Sequence, residues 1–587
     1  MSVTKTPGRF QWAEGLLLCL FLTLVSLLGR PFLYGVDNNV FHIPIVQHAY
    51  DWPQFRQDSF YQSLRGYTSG VWFVLGLLGP RAATPEAFLL IHALIRLLTF
   101  LALYGLVRAL EVPRSASALA LLIFAASPLA YGSSRVGMQD LLDDSLTHTS
   151  LIWPLIFASL TLLVRGRAVL GIGLNGALFC INAFVAVWHG FALLLASLAS
   201  ARLSAPPQPP GRFVRTWLLG IGLALIVASP VLVWILRSTS IAEPDFDYAA
   251  YLRSYWPYHF FITASAPKDL AALVAMLVMS AVALVQLREP RRVLLAAWMG
   301  YLLLFALGVV LPSVSHSRTL LNLHLLRIDG VLQILGLLGA CLVVARGVLA
   351  AGAPGRRLAA LAAGGFLVLG GKFVVATLAI LTILLILDRR PRLGAGAGPA
   401  AARTGAARGL AGGRGAIVVG LGGLLLVGQA SLLRLEAAHD PRLASLALER
   451  QLADFIRVHT PPEAVLLSLP SARPPPDIEL SELQLGAERR LWVDWKRGAV
   501  VMWRSNYFHE WRSRMDEVGG LKGAAQVEAY ACAHGITHVV ESRARLAPGY
   551  RARLVYANAR YVVLDLAYVC APRVRAHLNG RAAAEAR

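Results

Sequence analysis

Charge is what this sequence has least of. Only 15% of its 587 residues are Asp, Glu, Lys or Arg, against 56% hydrophobic residues. A soluble domain averages about 25% charged, so an ordinary water-soluble globule is excluded. Cysteine is scarce as well. There are five, with no CxxC pair among them, so no cysteine metal site is spelled out. Familiar catalytic signatures are missing: no GxSxG, Walker A or HExxH stretch occurs, which withholds support from the chemistries those motifs serve. Gly171-x-Gly173-x-x-Gly176 matches a dinucleotide fingerprint only as letters, because it lies inside an apolar run with no strand before it. Small residues there suit close helix packing.

What is present is apolar sequence of membrane-spanning length. Such runs recur from Gly15 to Val427, and one helical span needs roughly 20 apolar residues. They predict spans near 15–29, 86–108, 115–132, 149–164, 168–182, 184–200, 214–236, 270–287, 292–311, 329–346, 358–371, 373–387 and 415–433. The stretches 168–200 and 358–387 are too long for one crossing. They break at Asn182-Ala183 and at Gly370-Gly371-Lys372. The run Gly70–Leu78 is too short to span and reads as a re-entrant or interfacial helix. The first span has Lys5 and Arg9 before it and Arg30-Pro31 after it, where a cleavage site would need small residues. It reads as a retained signal anchor.

A net charge of +22 would suggest nucleic acid in a soluble protein. Here the arginines crowd the short loops on one side: Arg108 and Arg114, Arg165 and Arg167, Arg202, Arg212 and Arg215, Arg288, Arg291 and Arg292, Arg346, Arg356 and Arg357, and Arg389 to Arg414. The opposite loops hold Asp37, Asp51, Asp58, Asp140, Asp143, Asp144, Glu243, Asp245 and Asp247. The positive-inside bias accounts for this split, so no nucleic-acid partner is expected. The expected fold is a polytopic α-helical membrane protein of about 13 spans with a small C-terminal α/β soluble domain. The spans occupy 1–433, with outer loops 29–85, 133–148, 237–269 and 312–328. A flexible Arg/Gly/Ala-rich cytoplasmic linker covers 388–414, and a periplasmic domain covers 434–587. The expected location is a bacterial inner (plasma) membrane with the N-terminus in the cytoplasm.

In the C-terminal part, Leu443–His459 reads as a helix stopped by Pro461-Pro462. Ala464–Leu469, Arg490–Trp495 and Thr537–Glu541 read as strands, and Leu554–Leu566 as a hairpin. Cys532 and Cys570 could pair in an oxidising compartment or stay free thiols. Cys19, Cys180 and Cys341 lie in spans and read as small core residues.

Chemistry-bearing residues gather in the outer loops. The loop Gly29–Thr68 is polar yet rich in Tyr, Phe and Trp, which is the opposite of a disordered composition. It reads as a folded lid over a site at the membrane surface. Asp37 follows Tyr34-Gly35 and suits a general base or a group that orients an acceptor hydroxyl, with a helix cap at Asn38 as the bland reading. Asp58 stands as ready to cap the next helix as to react, Arg65 follows seven residues on, and Asp51 before Trp52-Pro53 reads as a turn. In Ser133–His148, the spacing of Asp140, Asp143 and Asp144 would put acids on one helix face. Oxygen ligands such as Asp140 and Asp144 suit Mg²⁺ or Mn²⁺; solvated helix-start acidity is the alternative. His148 stands at the span and could join or cap that site. The loop 312–329 breaks the arginine pattern with His316, Arg318, His324 and Arg327. Such a cluster could grip phosphate, or simply lipid headgroups. His189 falls inside a span, where a buried, hydrogen-bonded histidine is the safer reading. The aromatics of the loop Ser238–Pro267 suit an interfacial belt or a sugar.

This layout resembles the type-C glycosyltransferase superfamily. A signal-anchor-like first span leads to a long outer loop with an early Asp37. A second acidic loop, about thirteen spans and an exported domain follow. The segments HTPPEAVLLSLP and LWVDWKRG and the pair Glu510-Trp511 also look like those of bacterial membrane proteins so organised. The resemblance implies transfer of a sugar from a polyprenyl-phosphate donor to a lipid, glycan or protein acceptor. Asp37 would be the base, Asp140 and the other second-loop acids would assist with or without a metal, and outer cations such as Arg318 would hold the lipid phosphate. Asp58, Arg65, Asp143, Asp144, His148, His316, His324 and Arg327 would line the substrate site. Many members pair two acids in the first loop; here the loop reads Val36-Asp37-Asn38-Asn39. A transporter, a lipid-handling protein and a non-catalytic homologue are the alternatives.

Overall fold

The computed structural model describes residues 9–203, 208–238, 246–287, 292–350, 354–389, 420, 422–435, 441–469 and 481–570. The expected linker 388–414 lies outside these residues except for its first two positions, as do Glu243, Asp245, Arg288 and Arg291. Among the described residues, thirteen helices fall on the thirteen apolar runs. They are α1 (Arg9–Gly29), α2 (Pro85–Ala109), α3 (Arg114–Ala126), α4 (His148–Val164), α5 (Ala168–Ile181), α6 (Ala183–Leu203) and α7 (Pro210–Ser238). They continue as α8 (Pro267–Val285), α9 (Arg292–Val314), α10 (Asp329–Val348), α11 (Pro354–Leu369), α12 (Val374–Arg389) and α13 (Gly422–Leu435). Six are long and apolar enough to cross a membrane, and six more carry shorter apolar stretches. This is a multi-pass membrane protein.

Both predicted breaks are real. Helix α5 stops at Ile181, where Asn182 turns extended, and α6 restarts at once. Helix α11 stops before Gly370, whose φ of +98° no helix accommodates. Helix α10 is apolar on every side and is buried along nearly all of its length. Its glycines let neighbours come close, with Gly339 facing Leu284.

The loops α1–α2, α3–α4, α7–α8 and α9–α10 share one end of the bundle. The C-terminal α/β region packs onto them, and apolar residues from all of these segments form one continuous cluster that includes Phe41, Trp72, Leu146, Tyr251, Leu321, Val500 and Trp511. The C-terminal sheet has five strands: β1 (Val465–Ser468), β2 (Arg490–Leu491), β3 (His538–Ser542), β4 (Arg553–Ala557) and β5 (Tyr561–Asp565), in the order β2-β1-β3-β5-β4. β1 runs parallel to β2 and β3, while β5 is antiparallel to β3 and β4. The expected strand Arg490–Trp495 is cut to two residues. Asp494 accepts the Arg497 amide at 2.7 Å and turns the chain into a 3₁₀ stretch. Cys532 and Cys570 are joined in a disulfide.

One helix expected from the sequence is absent. The acids Asp140, Asp143 and Asp144 sit on an irregular ribbon, bridged at Tyr131–Leu142 and Ser133–Asp140. The amides a helix would pair internally are spent elsewhere: Val136 and Gly137 donate to Asp329 Oδ2 at 3.1 and 3.0 Å. Asp329 Oδ1 accepts from Ser134 Oγ at 2.7 Å. A buried carboxylate at the head of α10 thus clamps the acidic ribbon.

Candidate functional site

The first loop brings a short helix, Asn39–Val46, whose eight residues are all buried. Residues three apart share a helix face, so Asn39 and His42 point the same way. Asn39 donates to the Leu146 carbonyl at 3.0 Å and accepts from the Gly35 amide at 3.3 Å. Leu33 donates to the Asp144 carbonyl at 2.9 Å. These bonds lock the first loop to the acidic ribbon. Asp37 lies between them, exposed, with a φ of +52°. Asn38, not Asp37, precedes the helix, and no side chain caps it. The strained backbone of Asp37 holds its carboxylate out where its charge acts on Asp143.

On the ribbon, Asp143 turns inward. Its oxygens accept from the Asp144 amide at 2.8 Å and from Ser145 Oγ at 2.9 Å, and Arg96 of α2 donates to its carbonyl. Burial pushes its carboxyl well above the usual range, and the charges of Asp140 and Asp144 push the same way. Asp140 keeps a surface. It accepts from Ser133 Oγ at 3.3 Å and stands 3.8 Å from Arg327. Burial raises its carboxyl too, while Arg327 and Lys496 pull it back.

Arg327 is the hub. Besides Asp140, it donates to the Met138 carbonyl at 3.2 Å, and its buried Nε has no hydrogen-bond partner. Gly137 makes this approach possible, because a Cβ there would stand 2.5 Å from the Arg327 Cα. Three histidines, His148, His259 and His324, lie within reach of its charge, and a fourth, His42, touches His148. His259 lies against the Gly137 carbonyl at 3.2 Å, and burial takes its ring down to about 3. His324, at a φ of +50°, packs against Phe260 and Phe184 with ring centroids 4.6 and 5.3 Å away. His42 stacks on Trp72 at 4.0 Å. His148 faces His42 and Tyr67 at 3.3 and 3.2 Å.

The C-terminal region closes this cluster. Trp503 packs against Tyr67 with centroids 4.9 Å apart and donates to the Ser63 carbonyl at 3.2 Å. Trp495 lies on Trp256 at 4.1 Å. Between them runs Lys496, whose charge reaches Asp140, His42 and His259.

Several expected site residues lie outside the cluster. Asp58 caps the helix Ser59–Ser63 through the Tyr61 amide at 3.2 Å, and buries its charge against Arg490 and Arg497 at 3.6 and 3.8 Å. Arg65 pairs with Asp51 at the surface, where such a pair contributes little. Arg318 donates to the Met502 carbonyl at 3.2 Å and so tethers the C-terminal region. His316 is exposed, 4.0 Å from Asp247. His189 is a satisfied core residue, bonded to Tyr301 and Ser159 at 2.6 and 2.9 Å. Among the described residues, no three His, Cys, Asp or Glu side chains form a group able to hold a metal ion. Asp140 and Asp144 therefore find no third ligand there.

Residues 448–518, which carry Trp495-Lys496-Arg497, match the family model described as a domain of unknown function, DUF6798. No curated protein matches the chain in sequence. The chain is similar to solved structures of ArnT from Cupriavidus metallidurans. With the form bound to undecaprenyl phosphate it shares 15% identity and a TM-score of 0.46, over 95% of this chain and 98% of that one. With the apo form it shares 16% identity and a TM-score of 0.45 over the same shares.

Lys496, Tyr67, His42, His259 and Arg96 are the members of the site that the sequence reading passed over. Lys496 had a signal, since it stands inside the LWVDWKRG segment. The others read as ordinary aromatic-loop or helix residues.

Proposed function

We propose that this chain transfers a sugar from a polyprenyl-phosphate donor to a lipid, glycan or protein acceptor on the periplasmic face of a bacterial inner membrane. The observation that carries the reading is the facing of acids against cations where three loops and the C-terminal region meet. Asp140 stands 3.8 Å from Arg327, with Asp37 and Asp144 along the same rim and Lys496 arriving from the C-terminal region. A sugar phosphate needs both sides of this arrangement. Arg327 and Lys496 would hold phosphate oxygens and take up charge as the leaving group departs. Asp37, exposed on its turn, would accept the proton of the acceptor hydroxyl as its oxygen bonds to the anomeric carbon and the bond from that carbon to the phosphate oxygen breaks. Asp140 would orient the acceptor. A groove of about 300 Å³ between α5, α6 and α7, walled by Phe179, Phe191, Trp217 and Leu225, offers the apolar lining a prenyl chain requires. Undecaprenyl phosphate, held by the ArnT structure, is a lipid of this class. The Cys532–Cys570 disulfide supports the orientation, because such bonds persist in oxidising compartments.

The test is glycan profiling of a deletion strain complemented with Asp37→Asn or Arg327→Gln. Loss of the same glycan in the deletion strain and in both variants, at normal protein levels, supports the assignment. Full glycan with both variants, in a strain whose deletion removes it, overturns the site.

A further inference from the structure

Three polar atoms from three helical or loop segments meet in a triangle. His42 Nε2 lies 3.2 Å from Tyr67 Oη, Tyr67 Oη lies 3.2 Å from His148 Nδ1, and His148 Nδ1 lies 3.3 Å from His42 Nε2. Only two directions of donation satisfy the hydroxyl. In one, His42 donates to Tyr67 and Tyr67 donates to His148. In the other, His148 donates to Tyr67 and Tyr67 donates to His42. The choice falls on His42 Nδ1, which is sealed from solvent without a hydrogen-bond partner. The second direction would place an N–H there, a buried unpaired donor costing about 1–3 kcal/mol. The first leaves only a lone pair, and orphaned acceptors are tolerated better than orphaned N–H groups.

The surroundings keep the triangle neutral. Burial holds His42 well below the usual histidine range, helped by His148 and Lys496. Burial pushes the Tyr67 phenol up, so it keeps its proton. Stacking on Trp72 at 4.0 Å and 14° fixes the His42 ring.

With Nδ1 accepting, the His148 proton sits on Nε2. That atom is on the far side of the ring, has no hydrogen-bond partner among the described residues and is not among the sealed polar atoms. Arg327 is close enough to act on the His148 ring and on Tyr67. We infer that His148 is a substrate-binding residue fixed as a neutral Nε2–H donor, which works with Arg327 to hold an oxygen of the lipid phosphate, a diester in the sugar donor and a monoester once the sugar has left. This rests on the phosphate-donor reading above and adds a direction to it: His148 donates to the ligand and takes no proton from it. An imidazole held by a one-way chain of hydrogen bonds gives an oxygen a donor without adding a further cation to Arg327 and Lys496.

The test uses the full chain in nanodiscs and measures binding of decaprenyl monophosphate, decaprenol and inorganic phosphate. The wild type should bind the monophosphate far more tightly than the alcohol. His148→Ala should weaken that binding about tenfold, the size expected for one hydrogen bond to a charged group, and His148→Gln should recover part of it. Nitrogen-15 spectra of the ring should show the Nε2–H tautomer in the wild type and a tautomer mixture in Tyr67→Phe. Wild-type protein that treats monophosphate and alcohol alike would defeat the phosphate-donor reading itself. A wild type that selects the monophosphate, with His148→Ala folded and binding it equally, would overturn the His148 assignment alone. So would an Nδ1–H tautomer in the wild type. Inorganic phosphate binding as tightly as the lipid would overturn the lipid as its source.

Discussion

Removing the Asp58 carboxylate should loosen the C-terminal region from the first loop without touching the acids near Arg327. Asp58 is 5% exposed and Arg497 is 1% exposed. Arg490 and Arg497 approach Asp58 at 3.6 and 3.8 Å. Deleting one partner of a buried pair costs roughly 3–5 kcal/mol. Asp494 remains 3.6 Å from Arg497 Nε as a second counter-charge, so the lower end, about 3 kcal/mol, applies to Asp58→Asn, whose amide oxygen still caps the Tyr61 amide. Asp58→Ala loses that cap too and should cost about 1 kcal/mol more. Hydrogen exchange on the intact protein in detergent reads this locally. Amides in 59–66 and 495–503 should exchange roughly a hundredfold faster in Asp58→Asn, while those of α10 stay unchanged. The double variant Asp58→Asn/Arg497→Met should be less damaged than the sum of its parts by about 1–3 kcal/mol, because it removes the orphaned charge. Unchanged exchange at 495–503, or strict additivity, would refute the latch.

The other predictions are brief. Gly137→Ala forces a Cβ to within 2.5 Å of the Arg327 Cα; it should cost about 1–3 kcal/mol by overpacking and lower activity at least tenfold, read by melting and by product formation. The acid limb of activity should lie above the ordinary carboxylate range, because Asp140 is raised by burial and works ionised. Activity is present above that pKa and lost as pH falls through it. Arg327 holds the Asp140 carboxyl down, so in Arg327→Gln the residual acid limb should move to higher pH; a shift to lower pH in the pH–rate profile would contradict the pairing. Cys532→Ser opens a cross-link between residues 38 apart and should cost about 4 kcal/mol in the chain-entropy account, seen as a lower melting temperature that reducing agent does not lower further.

Much of the bundle was legible because its signal is local. A run of twenty apolar residues is a helix in lipid whatever lies elsewhere, and Gly370 and Asn182 announce their breaks in the sequence. The acidic ribbon was misread as a helix because its geometry is set by Asp329, almost two hundred residues away, and spacing alone cannot see a distant carboxylate collecting amides. Arg318 and Arg327 look alike in the sequence. One is spent on the Met502 carbonyl and the other meets Asp140 only because Gly137 lets the ribbon in. Lys496 was hidden by distance, since nothing in the first loop indicates that a residue so far along the chain completes its site.

That shared apolar cluster also sets an order of events during synthesis. The first loop is made early, yet Trp503, Trp511 and Lys496 follow more than four hundred residues later. At translation rates of roughly 5–20 residues per second, the loop waits about 20 to 90 s for the segment that covers it. During that interval Phe41, Phe60, Tyr61 and Trp72 have no C-terminal partner to bury against, so the half-made site stands next to the membrane with its greasy side uncovered. The cluster is therefore complete only once the last segment has docked on it.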